Sequence, residues 1–106
     1  MRNLNIKKSI SKLVRFNKIE LHKILAIYSK KIAIGEWKDY SICFKRNYAI
    51  FSIHKSFQLA PTFEIMKQVN KKGNFTLLCN NRIVSKTHSL NKILSYLKKP
   101  NLRLIR

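Results

Sequence analysis

Acids are the scarcest charged residues of this 106-residue chain, four in all. Two of them, Glu36 and Asp39, stand three apart in the run Gly35-Glu36-Trp37-Lys38-Asp39-Tyr40. A carboxylate pair held at a defined separation in a cleft is the minimum equipment for general acid–base chemistry, and this is the only sequence-local pair. The same run holds the only Trp and a Tyr, whose rings could stack on a base or anchor a protein while the carboxylates accept hydrogen bonds. The structural alternative is that the acids cap a turn and pair with nearby lysines while the rings plug a core. Glu36, Trp37, Asp39 and Tyr40 are therefore candidate partner-binding residues, and no residue is assigned a catalytic role.

Other chemistry finds less support. His22, His54 and His88 show neither HxH nor HExxH spacing, so a metal site would need convergence of three separate elements. Cys43 and Cys79 lack CxxC spacing and a sequence-local base, and cysteines in strands usually pack as small apolar residues. Gly35 and Gly73, the only glycines, cannot assemble a GxGxxG fingerprint, a P-loop or a GxSxG elbow in its usual form. The expectation is a protein that is not an enzyme and that has no cofactor, no metal and no disulfide framework.

Charge points elsewhere. Against Glu20, Glu36, Asp39 and Glu64 stand 23 Lys and Arg, a formal charge of +19, and a surface of that sign attracts polyanions. RNA, DNA or a ribonucleoprotein are the expected partners, with phosphate contacts from Lys7, Lys8, Lys12, Lys45, Arg46, Lys71, Lys72 and Arg82. Aromatics alternate with cations in Phe44-Lys45-Arg46-Asn47-Tyr48 and His54-Lys55-Ser56-Phe57, although neither an RNP1 pattern nor a βαββαβ order is present. A second reading attributes the lysines to coding bias, since Lys, Ile and Asn, all with A- and U-rich codons, are abundant. The Trp37 run then serves an interaction or regulatory adaptor that docks an acidic or membrane-associated protein.

These groups need elements to hold them. Asn17 with Glu20 makes a capping-box variant, Phe16 with Leu21 a hydrophobic staple, and Leu21, Ile24, Leu25, Tyr28 and Ile32 recur at helical spacing up to a stop at Gly35. The period then changes to two. Tyr40, Ile42 and Phe44 alternate with Ser41, Cys43 and Lys45, and a turn at Arg46-Asn47 returns the chain as a strand over 48–55. Further strands are predicted at 62–69, 75–79 and 82–86, the last two joined at Asn80-Asn81, where a type I′ turn tolerates positive φ. A second helix from about Ser89, capped by Thr87 or Ser89, carries Leu90, Ile93, Leu94 and Leu97, and a short edge strand is predicted at 102–105. The fold class is α+β: an antiparallel sheet of about five strands with two helices packed on one face, the other face left free for lysines and a few aromatics.

Residues 1–15 read as a basic flexible arm and 16–106 as a single α+β domain; the arm's pattern also suits a targeting sequence or a helix formed on an anionic surface. No secretory signal and no apolar run of the roughly 20 residues needed to cross a bilayer is visible, which with two unpaired cysteines points to the cytoplasm. From Val14 through Leu104 the chain resembles a family of short alphaproteobacterial proteins catalogued as domain of unknown function 2794. The resemblance rests on the Gly35-to-Tyr40 run, on Phe16, Glu20 and Leu21 at the helix start, on the strand Ala49-Ile50-Phe51-Ser52-Ile53 and on the Leu90-to-Leu97 helix. It implies a bacterial, intracellular, single-domain protein and carries no activity, cofactor or catalytic residue.

Overall fold

The computed structural model describes residues 13–55, 60–69 and 74–99. Lys7, Lys8 and Lys12 of the expected arm, Lys71 and Lys72, and the strand expected at 102–105 lie outside the described residues. Helix α1 spans Lys18–Ala33 and starts on the capping box: the Glu20 N–H donates to Asn17 Oδ1 and the Asn17 N–H to Glu20 Oε1, both at 2.8 Å. Two backbone donors that a helix start leaves without partners are thereby satisfied. At the other end Gly35 takes φ +80°, a conformation that costs glycine little, and its N–H closes on the Ile32 carbonyl at 3.0 Å.

Strands β1 (Asp39–Phe44), β2 (Tyr48–His54), β3 (Phe63–Gln68), β4 (Phe75–Cys79) and β5 (Arg82–Thr87) form one antiparallel meander in sequence order. The register aligns Ile42, Phe51, Ile65, Leu77 and Ser85 across all five strands. Asn80 and Asn81 make the β4–β5 turn with φ of 51° and 68°, the two positive values that a type I′ turn requires. Helix α2 spans Leu90–Lys98; the Thr87 hydroxyl accepts the Ser89 N–H at 3.1 Å, and the Ser89 side chain makes no capping bond.

Both helices cover the same sheet face. Ile24 and Ile27 of α1 and Leu90, Ile93, Leu94 and Leu97 of α2 bury against Ala49, Phe51, Ile53, Ile65, Phe75 and Leu77. The α1 stripe is rotated from the expected one: Lys31 is buried and Ile32 is exposed. The helices run side by side in the same direction. Lys23, in the second turn of α1, donates to Asn91 at the start of α2, and Lys31, in the last turn of α1, donates to the carbonyl of Lys99 just past the end of α2. Val14 and Phe16 belong to the core, and the Val14 N–H donates to the Lys45 carbonyl at 2.8 Å.

Candidate nucleic-acid interface

The Gly35-to-Tyr40 run is the passage from α1 into β1, and most of its side chains hold that passage together. Trp37 is 2% exposed, in an aromatic cluster with Tyr28 and Phe63, its ring centroid 6.1 and 6.2 Å from theirs. Glu36 binds the Lys31 ammonium at 2.8 Å, while the Glu36 and Trp37 N–H groups both donate to the Lys31 carbonyl. Asp39 accepts from the next residue's N–H at 2.8 Å and is exposed. Tyr40 stacks on Phe51, centroids 5.0 Å apart, and meets Tyr28 edge-on. Burial, with smaller contributions from Asp39 and Tyr40, raises the Tyr28 phenol above its ordinary value. Glu36 and Trp37 thus serve packing, and of the four candidates Asp39 and Tyr40 offer accessible atoms.

The free sheet face carries few of the expected lysines and aromatics, Lys86 and, by strand parity, Tyr48 among them. Strand parity places Cys43, Ile50, Met66, Thr76 and Lys86 in one row across that face, and Ser41, Ser52, Glu64, Leu78 and Ile83 in the next. Apart from Glu64 and Lys86, the residues of these two rows are neutral or apolar. Cys43 is exposed there rather than packed, and Cys79 is half-buried; both are free. His22 lies on α1, His54 at the end of β2 and His88 ahead of α2. No group of three or more His, Cys, Asp or Glu comes together among the described residues.

The meander sorts the remaining cations by sheet end. The β1–β2 turn and the β3–β4 connection fall at one end; the β2–β3 and β4–β5 connections fall at the other. Lys45 and Arg46 therefore share an end with Val69 and Asn74, which flank the Lys71-Lys72 connection, and the Gln68 N–H donates to the Asn74 carbonyl there at 2.7 Å. Just ahead of α1, the Val14 bond to Lys45 brings Arg15 to the same place. The Arg15 guanidinium lies 5.5 Å from the centre of the Phe44 ring, and its carbonyl accepts from Lys67 at 2.8 Å. Five strands at about 4.8 Å spacing make this end about 19 Å wide. Arg82 stands alone of the expected contacts at the opposite end, beside Cys79.

The four acids do little to offset this charge. Glu20 is bound by Lys67 and Glu36 by Lys31, each at 2.8 Å, Glu64 lies on the free sheet face, and Asp39 opens β1 at the opposite end. Lys67 and Arg15, which help to build this end, and Lys31, at the far end of α1, are absent from the expected site residues. Lys31 alone carries a signal in the sequence, since it sits four positions after Ile27 on the inner face of α1. No helix among the described residues is long and apolar enough to cross a membrane.

Neither the curated proteins nor the solved structures compared with this chain yield a match. One family model does match, over residues 14–94, a span that opens at the core residue Val14 and closes at the core residue Leu94. The chain therefore belongs to the family described as Protein of unknown function (DUF2794).

Proposed function

We propose that the protein is a non-enzymatic module that binds nucleic acid, free or within a ribonucleoprotein, at the basic end of its sheet. The observation that carries this reading is the gathering of Arg15, Lys45 and Arg46 with the flanks of the Lys71-Lys72 connection, at an end where the nearest acid, Glu20, is taken by Lys67. A width of about 19 Å spans several phosphates of an extended strand, and Arg15 over Phe44 adds a planar cation beside a ring. The contacts are to phosphate, which gives affinity with little sequence preference. The free thiols Cys43 and Cys79 suit a reducing compartment, and we place the protein in the cytoplasm.

The test is fluorescence anisotropy of nuclease-treated protein against labelled single-stranded RNA, single-stranded DNA and duplex DNA, titrated with KCl beside a size-matched lysine-rich control protein. The expected result is retained affinity at about 0.15 M salt, where the control has lost its own. Lys45→Gln/Arg46→Gln should lower the salt slope by about 1.4 for single strands, two contacts at about 0.7 each. Lys38→Gln/Arg82→Gln, the same charge removed from the opposite end, should leave the slope near the parent value. Equal losses in the two double variants, or binding that vanishes like the control's, would mean that bulk charge accounts for everything.

A further inference from the structure

A second site lies at the other end of the helix layer. Where α1 and α2 finish side by side there is a cavity of about 250 Å³ lined by Ile27, Lys30, Lys31, Ile34, Glu36 and Lys98. Its composition is unusual in holding an ammonium with a donor to spare. Lys31 is 6% exposed; it gives one N–H to Glu36 Oε1 at 2.8 Å and one to the Lys99 carbonyl at 3.0 Å. An ammonium has three N–H donors, so among the described residues one remains for an acceptor inside the cavity.

The charges around the cavity favour an anion. Lys30 and Lys98 make no ion pair among the described residues, and the acid in the lining, Glu36, is held by Lys31. The two helix C-termini contribute about half a negative charge each. Three lysines exceed Glu36 and both helix ends together by about one positive charge. The rest of the lining is aliphatic: Ile27 is buried, whereas Ile34 is 65% exposed, a large apolar side chain left beside the cavity mouth. A buried directional donor, two flexible cations and a branched aliphatic wall together recognise a carboxylate attached to an aliphatic body.

We propose that this cavity binds an aliphatic carboxylate, its oxygens between the third Lys31 N–H and the Lys30 and Lys98 ammoniums, its hydrocarbon against Ile27 and Ile34. The volume admits a short chain of the order of eight carbons, and a free acid or a peptide ending in Ile or Leu presents the same chemistry. Trp37 is a built-in reporter, because its N–H shares the Lys31 carbonyl with that of Glu36.

Octanoate, octanol and a tripeptide ending in Ile, with its carboxylate free or amidated, would be titrated against the full chain, read by Trp37 fluorescence and by calorimetry. Octanoate should bind saturably with one equivalent and at least tenfold tighter than octanol. Lys30→Gln/Lys98→Gln should weaken it about tenfold, whereas Lys18→Gln/Lys92→Gln, which removes equal charge elsewhere, should change it less than twofold. Ile34→Trp, which fills the mouth at unchanged charge and is read by calorimetry alone because it adds a second indole, should abolish it, with circular dichroism confirming the fold of each variant. A free tripeptide that binds where octanoate does not still supports the site and names a chain terminus as the source. Octanol binding as well as octanoate, equal losses in the two double variants, or no saturation with any carboxylate would overturn the proposal.

Discussion

The ion pair of Lys31 and Glu36 gives the sharpest test of the packing argument. Their side chains are 8% and 24% exposed, so water reaches the carboxylate more readily than the ammonium. Removing one partner from a fully buried pair costs about 3–5 kcal/mol, because the other charge is left uncompensated. Glu36→Gln strands the less exposed partner, which keeps its bond to the Lys99 carbonyl; the expected cost is about 2 kcal/mol, below that range. Lys31→Met loses the Lys99 bond but gains apolar burial and lets Glu36 turn to solvent, so about 1 kcal/mol is expected. The double variant should resemble Lys31→Met alone at about 1 kcal/mol, leaving a coupling of about 2 kcal/mol between the sites. Urea unfolding followed by circular dichroism measures all three, and Glu36→Gln should lower Tm by about 10 °C in a domain of this size. Costs that simply add, or a Glu36→Gln variant within about 0.5 kcal/mol of the parent, would refute the claim that these charges compensate each other in the core.

Three further outcomes follow from local geometry. Gly35→Ala meets no atom within 4 Å but forces an L residue to φ +80°, so a loss of about 1 kcal/mol with an unchanged urea slope is expected. Trp37→Ala should cost about 3–5 kcal/mol, whereas Asp39→Ala, which loses an exposed local bond, should stay within about 0.5 kcal/mol; comparison of their urea midpoints checks this contrast. Tyr28 holds its proton more tightly folded than unfolded, so its share of the stability is present below its ordinary value of 10.0 and is lost as pH rises through the higher folded value. Spectroscopic phenol titration should show the late-ionising tyrosine missing in Tyr28→Phe, with a shallower alkaline fall in stability.

What the sequence made legible was local. The capping box of Asn17 and Glu20, the stop at Gly35 and the positive-φ pair Asn80-Asn81 need only residues a few positions apart, and each stands where expected. Strand alternation likewise placed Tyr40, Ile42 and Phe44 on the inner face, which by the same parity sends Cys43 outward. Lys31, despite its place four positions after Ile27, and the half-buried Lys67 were not legible as enclosed groups, since a lysine reads as solvated until the acid that neutralises it is known, and Glu36 and Glu20 are identified as those acids by the packing of a helix against a turn and against a strand. The basic end was hidden for a related reason. Arg15, Lys45 and Asn74 are far apart in the chain; the parity of a five-strand meander sets Lys45 and Asn74 at one end while sending Arg82 away, and the Val14 bond to Lys45 brings Arg15 to that end.

The common direction of the two helices limits how the chain could be rewired. Had α1 and α2 been antiparallel neighbours, a loop of two to five residues would join them, and the molecule could be cut at any hairpin and closed into a circular permutant at little expense. Here the end of α2 lies beside the end of α1, so a linker from Lys99 back to Leu13, ahead of the core residues Val14 and Phe16, must retrace the 16 residues of α1, about 24 Å. At about 3.3–3.6 Å per extended residue that takes at least about seven residues, laid across the outer surface of the helix layer. A permutant opened at the Asn80-Asn81 turn should therefore fold with a linker of about ten residues and fail with one of three, a threshold set by the length of one helix.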